Sequence, residues 1–327
     1  MSQPTLTQVH VNAPLTNISV AFLQRAENFL AFNVFPRVPV QFASDIFTVY
    51  PRDAFMRNDV QQRAPGAESA GSGYTIDLTN TYTCKRDALH KDIDDPTRRN
   101  ASAPIDLDRE ATEYLAQQML IQAESRWVTN FFTTGIWTGS STGSDITPSV
   151  KWDDNASTPI QDIRAQKRAI LQNTGQVANA LVLGAKTFDN LLDHPDVIDR
   201  IKYGQTAGAP AMATEQILAE LFGVDRVYVA RGVQNAAIEG KTLSASFIAD
   251  QKSAGLFVVP QNPGLMTPAA GYSFVWGGME GADGSTGMRI KRFRLERNES
   301  DRIEAEMWYD HKLVSAPLGA FFTAVVS

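Results

Sequence analysis

A chain of 327 residues with 43% hydrophobic side chains can bury a substantial core, which excludes disorder, and its length points to two or three domains. The net charge of −6 argues against a surface built mainly to hold nucleic acid, because phosphate binding needs a net basic face; a local basic patch stays open. Cys84, the single cysteine, excludes an intrachain disulfide, and the longest apolar run, 318–326, is too short to cross a bilayer and is interrupted by Gly319 and Thr323.

The opening Met1-Ser2-Gln3-Pro4-Thr5 lacks the basic and apolar regions of a signal peptide, so the protein is expected to stay where it is made, and a reduced cytoplasm suits its lone thiol. Residues 1 to about 46 read as a polar arm followed by Val20-Ala21-Phe22-Leu23 and an apolar run from 29 to 40. Pro36 and Pro39 remove backbone donors and bias the preceding residues toward extended geometry, so neither a helix nor a central strand fits. Such an arm must be pinned against a surface.

Residues 47–93 form the most informative stretch. Phe47-Thr48-Val49-Tyr50 and Tyr74-Thr75-Ile76-Asp77-Leu78 have strand composition, while 52–73 is rich in charge, Gly, Ala and Pro and cannot build a core. A polar hairpin of that length is marginal alone, so it is expected to be ordered by contact with other chains. A segment from Cys84 to Asp95 and a turn-rich link to Pro104 follow.

From Asp106 the spacing of Leu107, Ala111, Leu115, Met119, Trp127, Val128, Phe131 and Phe132 predicts one long helix, with Asp106 as N-cap and Asp108 and Glu110 at its positive end. Residues 133–157 are Gly, Ser and Thr rich and read as a loop. It ends in Thr158-Pro159-Ile160-Gln161, a predicted capping box opening a helix that stops near Gly175. A compact α+β region from 174 to 271 is then expected: strands at 180–183, 227–230, 247–249 and 256–259, and helices at 186–192 and at 214–222, the latter closed by Gly223. Tyr272 to Trp276 and a glycine-rich link lead to a terminal hairpin. Its limbs alternate through Arg289, Ile290, Lys291, Phe293, Arg294, Leu295 and back through Ile303, Ala305, Met307, Tyr309, with a slip at Arg292 that predicts a β-bulge. One limb is basic and the other acidic, so cross-strand charge pairing is expected.

Candidate chemistry is thin. His90, Asp92, Asp94 and Asp95 have metal-ligand side chains, but Asp94-Asp95-Pro96 is turn chemistry and no second ligand cluster has a matching spacing. Cys84 with His90 could supply a nucleophile and base, yet a lone cysteine is more often an inert buried residue. His194-Pro195-Asp196 reads as a helix stop and restart, and no Gly-x-Ser-x-Gly elbow exists. The glycines from 277 to 287 open a strand instead of a helix and precede no Gly-Lys-Ser/Thr. No catalytic, metal-binding or cofactor-binding residue is therefore assigned. Arg52, Arg57 and Arg63 on the long loop, and Arg294 and Arg297 among the basic residues of the terminal hairpin, are expected to pair with acidic neighbours between chains. Two alternatives stay open: a hydrolase in which His90, Asp94 and His194 converge, and a nucleic-acid-coating protein that binds DNA as a monomer in a salt-sensitive way.

The order of elements resembles the major capsid protein of tailed bacteriophages, the Hong Kong 97-like α+β fold. The strings Asn28-Phe29-Leu30-Ala31-Phe32-Asn33-Val34-Phe35-Pro36-Arg37-Val38-Pro39-Val40, Arg63-Ala64-Pro65-Gly66, His90-Lys91-Asp92-Ile93-Asp94-Asp95 and Leu107-Asp108-Arg109-Glu110-Ala111-Thr112 are similar to stretches of siphophage capsid proteins. The resemblance implies an N-terminal arm at 1–46, an extended loop at 47–92, a peripheral domain at 93–173 and 272–327 with its spine helix at about 106–133 and its hairpin at 288–314, and an axial domain at 174–271. It implies a structural, non-enzymatic subunit of the virion, made in the host cytoplasm, whose hexamers and pentamers tile an icosahedral head with each extended loop lying across a neighbour. The turn from Arg297 through Glu299 to Asp301 would approach the local threefold axes. A portal protein, scaffolding and decoration proteins, and packaged double-stranded DNA in weak non-specific contact are the implied partners; no membrane and no cofactor is. The family's Lys to Asn crosslink is not expected, because Lys85 and Lys91 sit at the base of the loop.

Overall fold

The computed structural model describes residues 23–101, 105–204, 214–284 and 286–327; the N-terminal stretch that includes Val20-Ala21-Phe22 lies outside them. In chain order the strands and helices begin with β1 (Arg37–Val40), β2 (Ser44–Ile46), the short α1 (Arg52–Met56), β3 (Thr81–Thr83), β4 (Lys85–Asp94), α2 (Asp95–Asn100) and the long α3 (Leu107–Phe131). They continue with α4 (Pro159–Thr174), β5 (Ala180–Gly184), α5 (Ala185–Asp193), α6 (Pro195–Gly204), α7 (Glu215–Phe222), β6 (Arg226–Ala230), β7 (Val233–Asn235) and β8 (Ala245–Phe247). The last elements are β9 (Ala254–Phe257), β10 (Gly271–Trp276), β11 (Met288–Leu295), β12 (Ser300–Leu313) and β13 (Gly319–Phe322).

The helix α3 forms where the spacing predicts it. The Asp106 carboxylate accepts the N–H groups of Asp108 at 3.1 Å and Arg109 at 3.2 Å, satisfying donors that the first turn leaves unpaired. Its 25 residues, at about 1.5 Å each, make a rod of roughly 38 Å. Leu107, Ala111, Leu115, Met119, Ala123, Trp127 and Phe131 form the buried stripe. Burying each of the large ones contributes on the order of 1.5–3 kcal/mol.

That stripe packs on β12, the central strand of the first sheet. One edge of β12 carries β4, antiparallel from Ser300↔Asp94 to Tyr309↔Lys85; the opposite edge carries β11 and then β10, both antiparallel. β1 lies parallel on β10 at the margin, a position that tolerates Pro39 and its missing N–H.

The second sheet has the order β13-β9-β5-β6, with β5 and β6 parallel and the other pairs antiparallel. Every residue of β5 is buried, as its unbroken apolar run requires of a strand covered on both faces. Gly184 ends it where a Cβ would lie 2.4 Å from the Gln251 carbonyl oxygen, too close for any side chain. α7 begins with Thr214 Oγ1 accepting the Ile217 N–H at 3.3 Å and ends at Gly223 with φ 63°, the left-handed cap that the Gly allows. One continuous apolar core joins the two sheets through α3 and residues 30–35.

Several expectations are corrected. The register from Met288↔Met307 to Leu295↔Ser300 advances evenly, so no bulge exists at Arg292; the slip in the apolar pattern arises because β11 is an exposed edge strand where Phe293 is tolerated on the charged face. The Thr158 side chain makes no capping bond, and the α4 N-terminus uses the Thr158 carbonyl, which accepts the Asp162 N–H at 3.1 Å. His90 to Ile93 lie in β4, and where Asp94-Asp95-Pro96 and the link after it read as turns the chain forms α2, capped by Asp94 and with Pro96 in its first turn. The long edge of β12, some 200 residues away in sequence, is what makes that segment a strand. The strand expected at 247–249 ends at Phe247 and pairs with β7, an element the pattern did not reveal. The C-terminal strand β13 pairs antiparallel with β9 and so joins the second sheet, a placement its own pattern does not reveal.

Candidate functional site

The extended loop is held at its base and free beyond it. β2 and β3 pair from Ser44↔Thr83 to Ile46↔Thr81, the Phe47 N–H donates to the Asn80 carbonyl at 2.9 Å, and Val49 and Asp77 exchange two bonds at 3.1 and 3.0 Å. The outer limbs thus meet at a single bridge and form no regular strand beyond it. From 36 to 81 no residue is buried. Tyr50, Phe55 and Tyr74 form an aromatic knot with ring centroids 5.0–6.0 Å apart, yet Phe55 is 52% and Tyr74 54% exposed. Val60, Ile76 and Leu78 are exposed as well. A cluster of this kind outside the core marks a contact surface.

The three loop arginines make only local contacts among the described residues. Arg57 pairs with Asp59 at 2.8 Å, Arg52 approaches Asp53 at 3.5 Å, and Arg63 Nε donates to the Ala67 carbonyl. Hydrogen bonds from Ser72 and Arg57 hold the Asp59 carboxyl below its ordinary value. These exposed pairs contribute little to stability.

The terminal hairpin differs. Arg294 forms a forked pair with Asp95 at 2.6 Å on both oxygens, and Asp301 accepts from Arg292 at 2.6 Å and from Arg98. Arg292 and Arg98 thereby hold the Asp301 carboxyl far below the usual carboxylate range. Arg294 and Asp301 are therefore engaged inside the subunit. Arg297 and Glu299 sit exposed at the turn, with Glu299 at φ 44° and its carbonyl accepting the Asp95 N–H at 3.0 Å.

On the outer face of the first sheet the predicted basic and acidic limbs do pair. Glu306, fully buried, accepts from Arg289 at 2.8 Å, Lys291 at 2.7 Å and Arg86. Burial alone would raise its carboxyl, but hydrogen bonds from Lys291 and Arg289 and the charge of Arg86 outweigh it and hold it at about 2. The Trp308 ring lies against both Arg86 and Arg289, at 5.9 and 5.6 Å. Arg302 grips Asp92 with two bonds at 2.7 and 2.8 Å. This is a cross-braced plate.

The residues a hydrolase would need are dispersed. His90 faces Glu304 across β4 and β12, Asp94 caps α2 by accepting the Thr97 N–H at 3.2 Å, and His194 caps α5. The His194 Nε2 lies 2.9 Å from Ser157 Oγ, and its Nδ1 accepts the Asp196 N–H at 3.1 Å, which fastens the helix stop and restart to the preceding loop. No hydrogen bond or ion pair joins the three among the described residues. Burial, then the charge of Asp310, pushes the Cys84 thiol up to about 12, so it is an inert core group. A cavity of about 520 Å³ beside Lys85, Arg126, Asn130 and Lys312 is lined by none of these residues. Among the described residues no three His, Cys, Asp or Glu side chains are placed to hold a metal ion.

Among the buried polar groups that the sequence pattern does not single out are Glu124 on α3 and His311, whose Nδ1 lies 2.8 Å from Ser273 Oγ. The available signal for Glu124 was its place between Ala123 and Trp127 on the apolar stripe.

Residues 141–270 match the family described as phage major capsid protein E. The major capsid protein of Burkholderia phage BcepMu is 22% identical over 231 residues, covering 68% of this chain and 69% of that protein. Among solved structures, a phage-related protein from Bordetella bronchiseptica superposes with a TM-score of 0.67 at 19% identity, covering 92% of this chain and 93% of the other. The mature capsid of bacteriophage PhiM1 superposes with a TM-score of 0.63 at 13% identity, covering 97% and 92%. The chain has the Hong Kong 97-like fold of phage capsids.

Proposed function

We infer that this phage major capsid protein closes its shell by laying the extended loop of each copy across a neighbouring copy. The observation that carries the reading is the absence of any buried residue from 36 to 81, in a loop that nonetheless displays Phe55, Val60, Tyr74, Ile76 and Leu78. Their burial against a second copy supplies free energy that folding of one chain leaves unrealised, so assembly completes the fold. Arg52, Arg57 and Arg63 then exchange weak local partners for acidic side chains of the neighbour, which sets register more than affinity. Arg297 and Glu299, exposed at the hairpin turn, make the corresponding contacts where three copies meet.

In this reading residues 1–46 are the arm, 47–92 the loop, 93–173 with 272–327 the peripheral domain and 174–271 the axial domain. Hexamers and pentamers build an icosahedral head in the host cytoplasm. A portal protein, scaffolding and decoration proteins, and weak non-specific contact with the packaged duplex complete the set of partners. The subunit's role is structural; the scatter of His90, Asp94 and His194 supports that over hydrolysis.

Electron microscopy of the purified protein tests the reading. The full chain is expected to form closed shells, and deletion of residues 55–74 to leave a soluble subunit with an unchanged thermal midpoint that forms none. Normal shells from the deletion would refute it.

A further inference from the structure

Glu124 stands on the core-facing stripe of α3 and is 1% exposed. Its Oε2 accepts the backbone N–H groups of Leu30 and Ala31, both at 2.7 Å, while its Oε1 is buried with no hydrogen-bond partner. At the carbonyl of the same Ala31, Ser273 Oγ lies 3.4 Å from the oxygen and 2.8 Å from His311 Nδ1. The arm is thus fastened to the spine helix and the first sheet by side chains of residues far along the chain.

We propose that Glu124 is a proton-operated latch: as the neutral acid it fastens residues 30 and 31 of the arm to the spine helix, and loss of its proton loosens them. A neutral carboxyl can accept both N–H groups on its carbonyl oxygen and needs no countercharge. An ionised one would leave a charged oxygen unpartnered in an apolar core, which is costly unless water enters.

Among the described residues no cation is paired with Glu124. On α3 itself, Arg126 is engaged with Asp87 at 2.5 Å. On β12, burial and then the charge of Arg126 push the His311 imidazole down to about 3, so it is neutral. On the turn before β7, Gly232 approaches Glu124, and its neighbour Arg231 pairs with Glu215 at 2.8 Å. On the arm, Arg25 and Glu27 lie at the 3-10 turn of Ala26–Asn28. Burial accordingly raises the Glu124 carboxyl from 4.5 to about 7, against the opposing pull of the two N–H groups.

The sign follows from the raised value. The folded chain binds this proton more tightly than the unfolded chain, so docking has its full strength below the unfolded value of 4.5 and loses it as pH rises through about 7. A gap of about 2.5 pH units corresponds to roughly 300-fold in the equilibrium between docked and loosened arm.

Hydrogen–deuterium exchange of the full chain, followed on a peptide spanning 28–36 and corrected for the intrinsic pH dependence of exchange, is the test. In the wild type, protection of that peptide is expected to fall tenfold or more from about pH 5 to about pH 8, while a β5 peptide stays constant. Glu124→Gln, whose amide oxygen can accept both N–H groups without ionising, is expected to give a flat profile. A flat wild-type profile, or an equal slope in Glu124→Gln, would overturn the latch. Isotope-edited infrared spectroscopy of glutamate-labelled wild type provides a second readout that needs no variant: one glutamic acid still protonated at about pH 6 is expected, and its absence would also overturn the proposal. Neither readout depends on shell formation, so this inference and the assembly reading fail separately.

Discussion

Residues 29–35 are a dense apolar run and residues 47–80 carry a few large apolar side chains among many polar ones, and the large apolar groups of the two segments end in opposite environments. Phe29, Leu30, Phe32, Val34 and Phe35 are 1–8% exposed; Phe55, Val60, Tyr74, Ile76 and Leu78 are 44–88% exposed. The kind of side chain does not separate these ten residues. The difference is a facing surface: Phe35 meets Phe131 at 4.5 Å and Phe257 at 5.4 Å, with Trp127 and Trp137 beside them, whereas the Tyr50, Phe55 and Tyr74 rings meet mainly each other. An apolar segment becomes core when its own chain supplies the opposing wall, and becomes an interface when another copy must.

The comparison breaks most visibly at Phe35. Phe35→Ala is expected to destabilise the unassembled subunit by about 3–5 kcal/mol, read from the midpoint of chemical denaturation, because the lost ring leaves a cavity among rigid aromatic neighbours. A loss below about 1 kcal/mol would mean that the arm is not core.

The charged plate gives an intermediate effect. Glu306→Gln leaves Arg86, Arg289 and Lys291 around a neutral amide and is expected to cost on the order of 1–3 kcal/mol near neutral pH. Because the folded value is depressed from 4.5 to about 2, the stabilisation from Glu306 is present above 4.5 and lost as pH falls through about 2. Stability measured from about pH 6 down to about pH 2 should therefore fall less steeply in the variant; identical slopes would show that Glu306 carries none of the acid sensitivity.

The smallest effect on subunit stability is expected at the loop. Phe55→Ala should change the denaturation midpoint by less than about 0.5 kcal/mol while lowering the yield of closed particles in sedimentation. A large stability loss with unchanged particle yield would invert the comparison and place the aromatic knot in the core of the subunit.

Much of the architecture was legible without coordinates because it rests on neighbours in the chain. The four-residue spacing of Leu107, Ala111, Leu115 and Met119 encodes α3, and Asp106 encodes its start. The alternation of Ile303, Ala305, Met307 and Tyr309 encodes β12, and its acidic partners to β11 were readable as residue types. The unburied character of 52–73 was likewise visible as a shortage of large apolar side chains. The bulge at Arg292 was misread because an edge strand can display an apolar residue on its polar face without any change of register.

What the sequence by itself determined, then, was most of the periodic elements, the caps at Asp106 and Gly223, and the presence of a long loop that cannot cover itself. Only the tertiary structure decided that residues 30–35, Asn33 apart, lie inside, that β13 joins the second sheet, and that Glu124 bonds the arm. Helical and strand periods are set by sterics within a few residues, whereas the bonds from Glu124 to Leu30 and Ala31 span 94 and 93 residues. Such contacts exist only after distant segments have been brought face to face by burial, and no local pattern records which surface will be waiting.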